Sequence, residues 1–199
     1  MNPRLVLALS LLCLFALGAV LLVAAGRDED ASTSASSAFA GAVMPKDVRA
    51  PDFDLRDEYG HRISMRAFRG RPVVVTFLYT HCRNTCPAQA QTVRGALDDL
   101  GHDVPAIAIS VDPPWDTRVS ARAFLSEQHA LGRIHFVLGS RAQLEPLWKG
   151  FAIQPQTRSE EHQARITLVD KRGLQRVGFP GAEATPERLA HDLRLLERE

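Results

Sequence analysis

From Asp47 onward the hydrophobic positions fall into short groups separated by regular polar punctuation. The stretch DFDLRDEYGHRISM alternates, with Phe53 and Leu55, a turn around Tyr59-Gly60, then Ile63 and Met65, and predicts a β-hairpin. RPVVVTFLY and VPAIAISVD are unbroken apolar runs, as expected of strands buried on both faces. Between them Ala90, Val93, Ala96, Leu97 and Leu100 recur at helical spacing, and Gly101 is the stop. Arg118 to Leu131 predicts a second helix with Val119, Ala123, Phe124 and Ala130 inward, ended by Gly132. RIHFVLG predicts a strand, and SRAQLEPLWKGF a helix opened by Ser140 as N-cap. ARITLVD and GLQRVGF flank Lys171-Arg172-Gly173 as a hairpin. A last helix runs from Thr185 to about Glu197, with Pro186 in its first turn and Leu189, Leu193 and Leu196 on one face.

Strands alternating with helices imply a parallel-containing sheet covered on both sides. A strand running into a Cys-x-x-x-Cys-Pro helix, closed by a β-β-α unit, is the thioredoxin-like plan. The expectation for residues 47–199 is therefore α/β: a thioredoxin-like fold with an N-terminal β-hairpin and an inserted segment.

The N-terminal pattern is different. Leu5 to Gly26 carries no charge, and as a helix it would be ~33 Å long, about the thickness of a bilayer. Arg4 precedes it, and Asp28, Glu29 and Asp30 follow Arg27. This bias predicts a single transmembrane helix over residues 1–27, with the C-terminal domain outside the cytoplasm. Val23-Ala24-Ala25 would suit a cleaved signal peptide, but the apolar run exceeds the usual ~7–15-residue core of one. Residues 28–46 are rich in Ser, Ala and acidic groups and predict a flexible linker.

Of 199 residues, 45% are hydrophobic and 24% charged, with a net charge of +1; no basic block points to nucleic acid. Only three cysteines occur. Cys13 lies in the apolar segment after Leu12, where a lipoprotein site would want a small residue, and suits a lipid-facing position. Cys82 and Cys86 sit between the first buried strand and the following helix, where a helix N-terminus favours thiolates. A structural disulfide closing so short a loop would restrict the unfolded chain little. Redox exchange and soft-metal binding remain. A closed structural zinc site wants four protein ligands, whereas monovalent copper is satisfied by two thiolates and an imidazole.

Seven histidines are available. His61, His102 and His191 are expected to be solvated, His129 to lie late in a helix, His135 inside a strand, and His81 to point away from its neighbour Cys82. His162 lies in the polar loop before a strand of the central sheet, in TRSEEHQARITLVDKRG. Either an idle imidazole or a ligand fits that position.

Three stretches, in order, resemble the Sco/SenC family of membrane-tethered copper proteins with a thioredoxin fold. TFLYTHCRNTCP is similar to its Cys-x-x-x-Cys-Pro segment, ISVDPPWDTR to its Ser-Val-Asp-Pro-x-x-Asp-Thr signature, and HQARITLVDKRG to its histidine, strand and turn. The resemblance implies copper, as Cu(I), Cu(II) or both, held by Cys82, Cys86 and His162. It implies a metallochaperone that delivers copper to, or reduces the thiols of, the binuclear copper centre during cytochrome c oxidase assembly. The partner would be the copper-bearing subunit or another copper or thiol protein. Thiol–disulfide oxidoreduction or redox sensing through Cys82 and Cys86 alone is the alternative. Arg83, beside the pair, leaves a peroxidase as a third reading. The sequence departs from the family at Arg83, where proline is common, and at Asn84 and Thr85, where an aspartate is usual. Asp112 and Asp116 are expected to shape their loop through side-chain to backbone bonds.

Overall fold

The computed structural model describes residues 38–156 and 164–199. The expected anchor, most of the linker and His162 lie outside the described residues. No helix among those described is long and apolar enough to cross a membrane.

The strands are β1 (Ala42–Val43), β2 (Asp54–Arg56), β3 (Arg62–Ser64), β4 (Val73–Leu78), β5 (Ala106–Ser110), β6 (His135–Val137), β7 (Arg165–Val169) and β8 (Gln175–Pro180). The α-helices are α1 (Thr85–Leu100), α2 (Arg118–Glu127), α3 (Arg141–Gly150) and α4 (Pro186–Arg198). Six strands form one sheet in the order β1-β8-β7-β4-β5-β6, and β2 pairs with β3 as the expected hairpin. The sheet is mixed: β4, β5 and β6 run parallel, and β7 returns antiparallel along β4. Every residue of β4 and β5 is buried, which is why both read as continuous apolar runs.

Local chemistry fixes the helix ends. Gly101 adopts φ 72° and closes α1, a conformation that glycine enters without a Cβ penalty. Thr117 and Ser120 form a reciprocal capping box at the start of α2, and Ser140 and Gln143 do the same for α3. Thr185 accepts the Arg188 amide ahead of α4, whose first residue is Pro186. Helices α1 and α4 pack on one another.

Two expectations change. Helix α2 stops at Glu127, and its buried face is Ala121, Phe124 and Leu125, while Val119 stays 68% exposed and Ala123 is also exposed. Val119, in the first turn, faces solvent because the core contacts of this short helix run through Ala121, Phe124 and Leu125. The linker expected to reach residue 46 also ends earlier. The Asp192 carboxylate of α4 accepts the Ala40 and Gly41 amides at 2.7 and 2.9 Å, and β1 pairs with β8 beyond them.

The core continues beneath the C-terminal ends of β4 and β5. Phe77 meets Phe151 edge to face, with ring centroids 5.4 Å apart. Trp148 of α3 is 1% exposed, and its indole N–H donates to the Ser110 carbonyl at 2.9 Å. That contact satisfies the one polar group of a buried indole and ties α3 to the end of β5.

Candidate metal and thiol site

Strand β4 ends at Leu78, and the next few residues turn back to enter α1. Cys82 and Cys86 are both buried thiols without a disulfide between them. The Cys86 amide donates to the Cys82 sulfur at 3.2 Å, and the Thr85 hydroxyl lies 3.6 Å from the same sulfur. The first turn of a helix has amides with no intrahelical acceptor. Here Asn84, at the N-cap, makes no side-chain cap bond, so the sulfur takes the acceptor's place for Cys86. Pro87 follows with no N–H to satisfy.

This arrangement separates the two thiols electrostatically. Burial alone would raise Cys82, but hydrogen bonds from the Cys86 thiol and amide, from Thr85 and from the Asn84 amide outweigh it and lower its pKa. Cys86 is pushed the other way, by burial first and then by donating to Cys82. Of the two thiols Cys82 is thus the easier to ionise and Cys86 the harder. Cys82 borders a cleft of about 440 Å³ with Thr80, His81, Arg83, Pro87 and Phe124 among its walls.

The loop is braced from the neighbouring strand. Asp116 accepts the Thr80 amide at 2.8 Å and the Ser110 hydroxyl at 2.5 Å, so it links the segment before Cys82 to the end of β5. Burial raises its pKa, against those two hydrogen bonds. Asp112 lies 3.4 Å from the His81 Nε2 atom, and burial raises its pKa as well. Asp116 thus holds its own stretch through Ser110 and, like Asp112, also reaches across to the cysteine loop. Gln89, which sequence analysis did not single out, is one helical turn beyond Cys86 and donates to the Arg165 carbonyl at 2.7 Å. Only the i, i+3 spacing from a site cysteine could have marked it.

The histidines divide. His61 is exposed beside Asp57, and His102 binds Glu197 at 2.6 Å. His129 follows α2 with φ 53°. His135 lies in the edge strand β6, level with Ile107, as expected, and its half-exposed ring faces two carboxylates.

The SCO1/SenC family model matches residues 42–197, which include Cys82, Cys86, Asp112, Asp116 and every strand and helix described except the last residue of α4. The chain belongs to the SCO1/SenC family. Among relatives of this family member, the mitochondrial protein SCO1 homolog 1 of Arabidopsis thaliana is 26% identical over 113 residues, 55% of this chain. Those residues are 33% of that protein, so the match spans about a third of its length. The structure of Bradyrhizobium japonicum ScoI with copper bound is 27% identical with a TM-score of 0.61, covering 74% of this chain and 99% of that one. The fold is also that of BsSco, described as a Sco-family cytochrome c oxidase assembly protein with a disulfide switch: 22% identity, TM-score 0.68, 79% of this chain and 98% of that one. The thioredoxin-like architecture is thus common to the family.

Proposed function

We propose that this chain carries copper as cargo between Cys82, Cys86 and His162 and passes it on during assembly of the binuclear copper centre of cytochrome c oxidase. The observation that carries this reading is the pair of sulfurs linked through the Cys86 amide and thiol, a soft donor set at a helix N-terminus. Among the described residues no third histidine, cysteine or carboxylate joins these sulfurs in a ligand cluster. The third donor is assigned to His162. Its segment rejoins the described chain beside α1, because Gln89 holds the Arg165 carbonyl.

Two thiolates and one imidazole leave copper open to attack by an acceptor's ligands, which suits transfer more than storage. The acceptor is the copper-bearing oxidase subunit or another copper or thiol protein. A transmembrane helix over residues 1–27 would tether the domain to the outer face of the cell membrane.

The reduced full chain should bind one copper, with two sulfur and one nitrogen scatterer in X-ray absorption. His162→Ala should leave two sulfurs only. Unchanged copper affinity in Cys86→Ser, or an unchanged nitrogen signal in His162→Ala, would overturn the proposal.

The charge asymmetry of the pair favours a second activity at the same residues. The Cys82 thiolate attacks a partner disulfide and releases one partner thiolate. Cys86, after losing its proton, attacks the Cys82 sulfur and releases the second. The partner gains two electrons, Cys82 and Cys86 lose two, and an external thiol reductant restores them. This reaction needs no imidazole, so His162→Ala should retain it while losing copper.

A further inference from the structure

A second group of donor atoms lies at the opposite end of the parallel strands. Asp57 and Glu58 begin the turn after β2, and His135 opens β6. Strand β2 reaches β6 through a bridge between Arg56 and Leu138, which brings the turn alongside His135. One ligand atom from each of Asp57, Glu58 and His135 lies within 4.8 Å of the others.

Most of this cluster's polar atoms are committed. Asp57 Oδ1 accepts the Tyr59 and His61 amides at 2.9 and 2.8 Å, and Glu58 Oε2 accepts the Phe136 amide at 2.7 Å. The Glu58 carbonyl accepts from Arg122. The atoms left over face one another: Asp57 Oδ2, Glu58 Oε1 and His135 Nδ1. Glu58 is fully buried, yet its Oε1 has no hydrogen-bond partner, and neither has His135 Nδ1. A buried carboxylate oxygen left unpaired is costly, and its presence calls for an occupant.

A shared proton is the simplest occupant, and the Glu58 and Asp57 carboxylates do raise the His135 pKa. The contacts are nevertheless long for a hydrogen bond that satisfies a buried oxygen. A charge-assisted N–H···O bond closes to ~2.7–2.9 Å. His135 Nδ1 is instead 3.5 Å from Glu58 Oε1 and 3.7 Å from Asp57 Oδ2. Ligands on a tetrahedral ion with bonds of ~2.0–2.2 Å are ~3.3–3.6 Å apart. His61 Nδ1 lies 3.5 Å from Asp57 Oδ2 on an exposed side chain, but it stands outside this group of three donors, so a fourth position is left to water.

We propose that Asp57, Glu58 and His135, completed by water, form a second metal site for a borderline divalent cation, zinc(II) or copper(II). Carboxylate and imidazole donors suit those ions and not monovalent copper, which prefers sulfur. The site is separate from the thiols in place and in donor chemistry. The ion would join the hairpin turn to the edge strand and neutralise two buried carboxylates.

The test uses the full chain carrying Cys82→Ser and Cys86→Ser, so that neither thiol competes for metal. Dialysed against zinc chloride, this chain should retain one zinc with only nitrogen and oxygen scatterers, and zinc should raise its Tm. Removing a ligand should cost at least as much as removing a ligand's supporting partner, so His135→Gln should weaken zinc binding by at least about tenfold. Asp57→Asn keeps the Oδ1 acceptor for the two turn amides and removes the free carboxylate oxygen. It should weaken zinc binding equally and carries the test if His135→Gln misfolds. The same binding in folded Asp57→Asn, or no zinc retained by the thiol-free parent, overturns the proposal. Either result leaves copper binding at the thiols untouched.

Discussion

The Cys86 amide points at the Cys82 sulfur from 3.2 Å, so the helix that begins at Thr85 is capped by the residue it activates. Cap and reactive group are one atom. Any ligand that binds this sulfur shares it with the helix amide.

Reactivity should divide accordingly. At neutral pH, alkylation with iodoacetamide followed by peptide mass spectrometry should label Cys82 well before Cys86. The thiolate of Cys82 should persist at lower pH than that of an ordinary thiol, because its donors lower its pKa. Cys86→Ala keeps the amide donor but removes the thiol donor, and should move the pH–rate midpoint for Cys82 upward. Faster labelling of Cys86, or no movement of that midpoint, would contradict the assigned asymmetry.

Asp116 should give a pH signature in stability. Its folded pKa is raised by burial, so the folded chain keeps this proton at pH values where the unfolded chain has lost it. Its favourable contribution is complete below the unfolded value of ~3.9 and is lost as pH rises through the folded value. Asp116→Asn cannot ionise. Urea titrations should therefore show the variant gaining on the wild type as pH rises from about 4 towards neutrality. A difference that does not vary with pH would rule this out.

Asp192 is fully buried and receives the Ala40 and Gly41 amides. Asp192→Ala strands both donors and should cost about 1–3 kcal/mol. Hydrogen exchange should show protection lost at β1 before any change in β4 or β5. Uniform loss of protection across the sheet would mean that Asp192 supports the core and not this edge.

Legibility followed how local the determinants are. β4 and β5 were readable because all their positions are buried, so no choice of face was needed. β1 was not: Ala42 and Val43 are both exposed, and what fixes them is a carboxylate 152 residues away from Ala40. Around α2, Phe124 and Ala130 are buried as their spacing predicts, but alanines satisfy either side, and only packing decides that Ala121 is buried while Ala123 is not. At the site, the spacing of Cys82 and Cys86 around a helix entrance was readable. The brace from Asp116 to Thr80 was not, because it joins two loops that only the parallel pairing of β4 and β5 brings together. Buried Glu58 is the extreme case, since its partners belong to β6 and α2.

In the parallel register His135 stands level with Ile107 and so with Val75, whereas Cys82 comes four residues after Leu78 at the far tip of the same strand. From Val75 to Leu78 alone the strand advances ~10 Å. Sites that far apart, with no side chain in common, tend to respond to substitution independently. One end of the molecule can accumulate changes in charge and ligand preference while the other keeps its chemistry, so the scaffold is a two-port device whose ports can drift apart over evolutionary time.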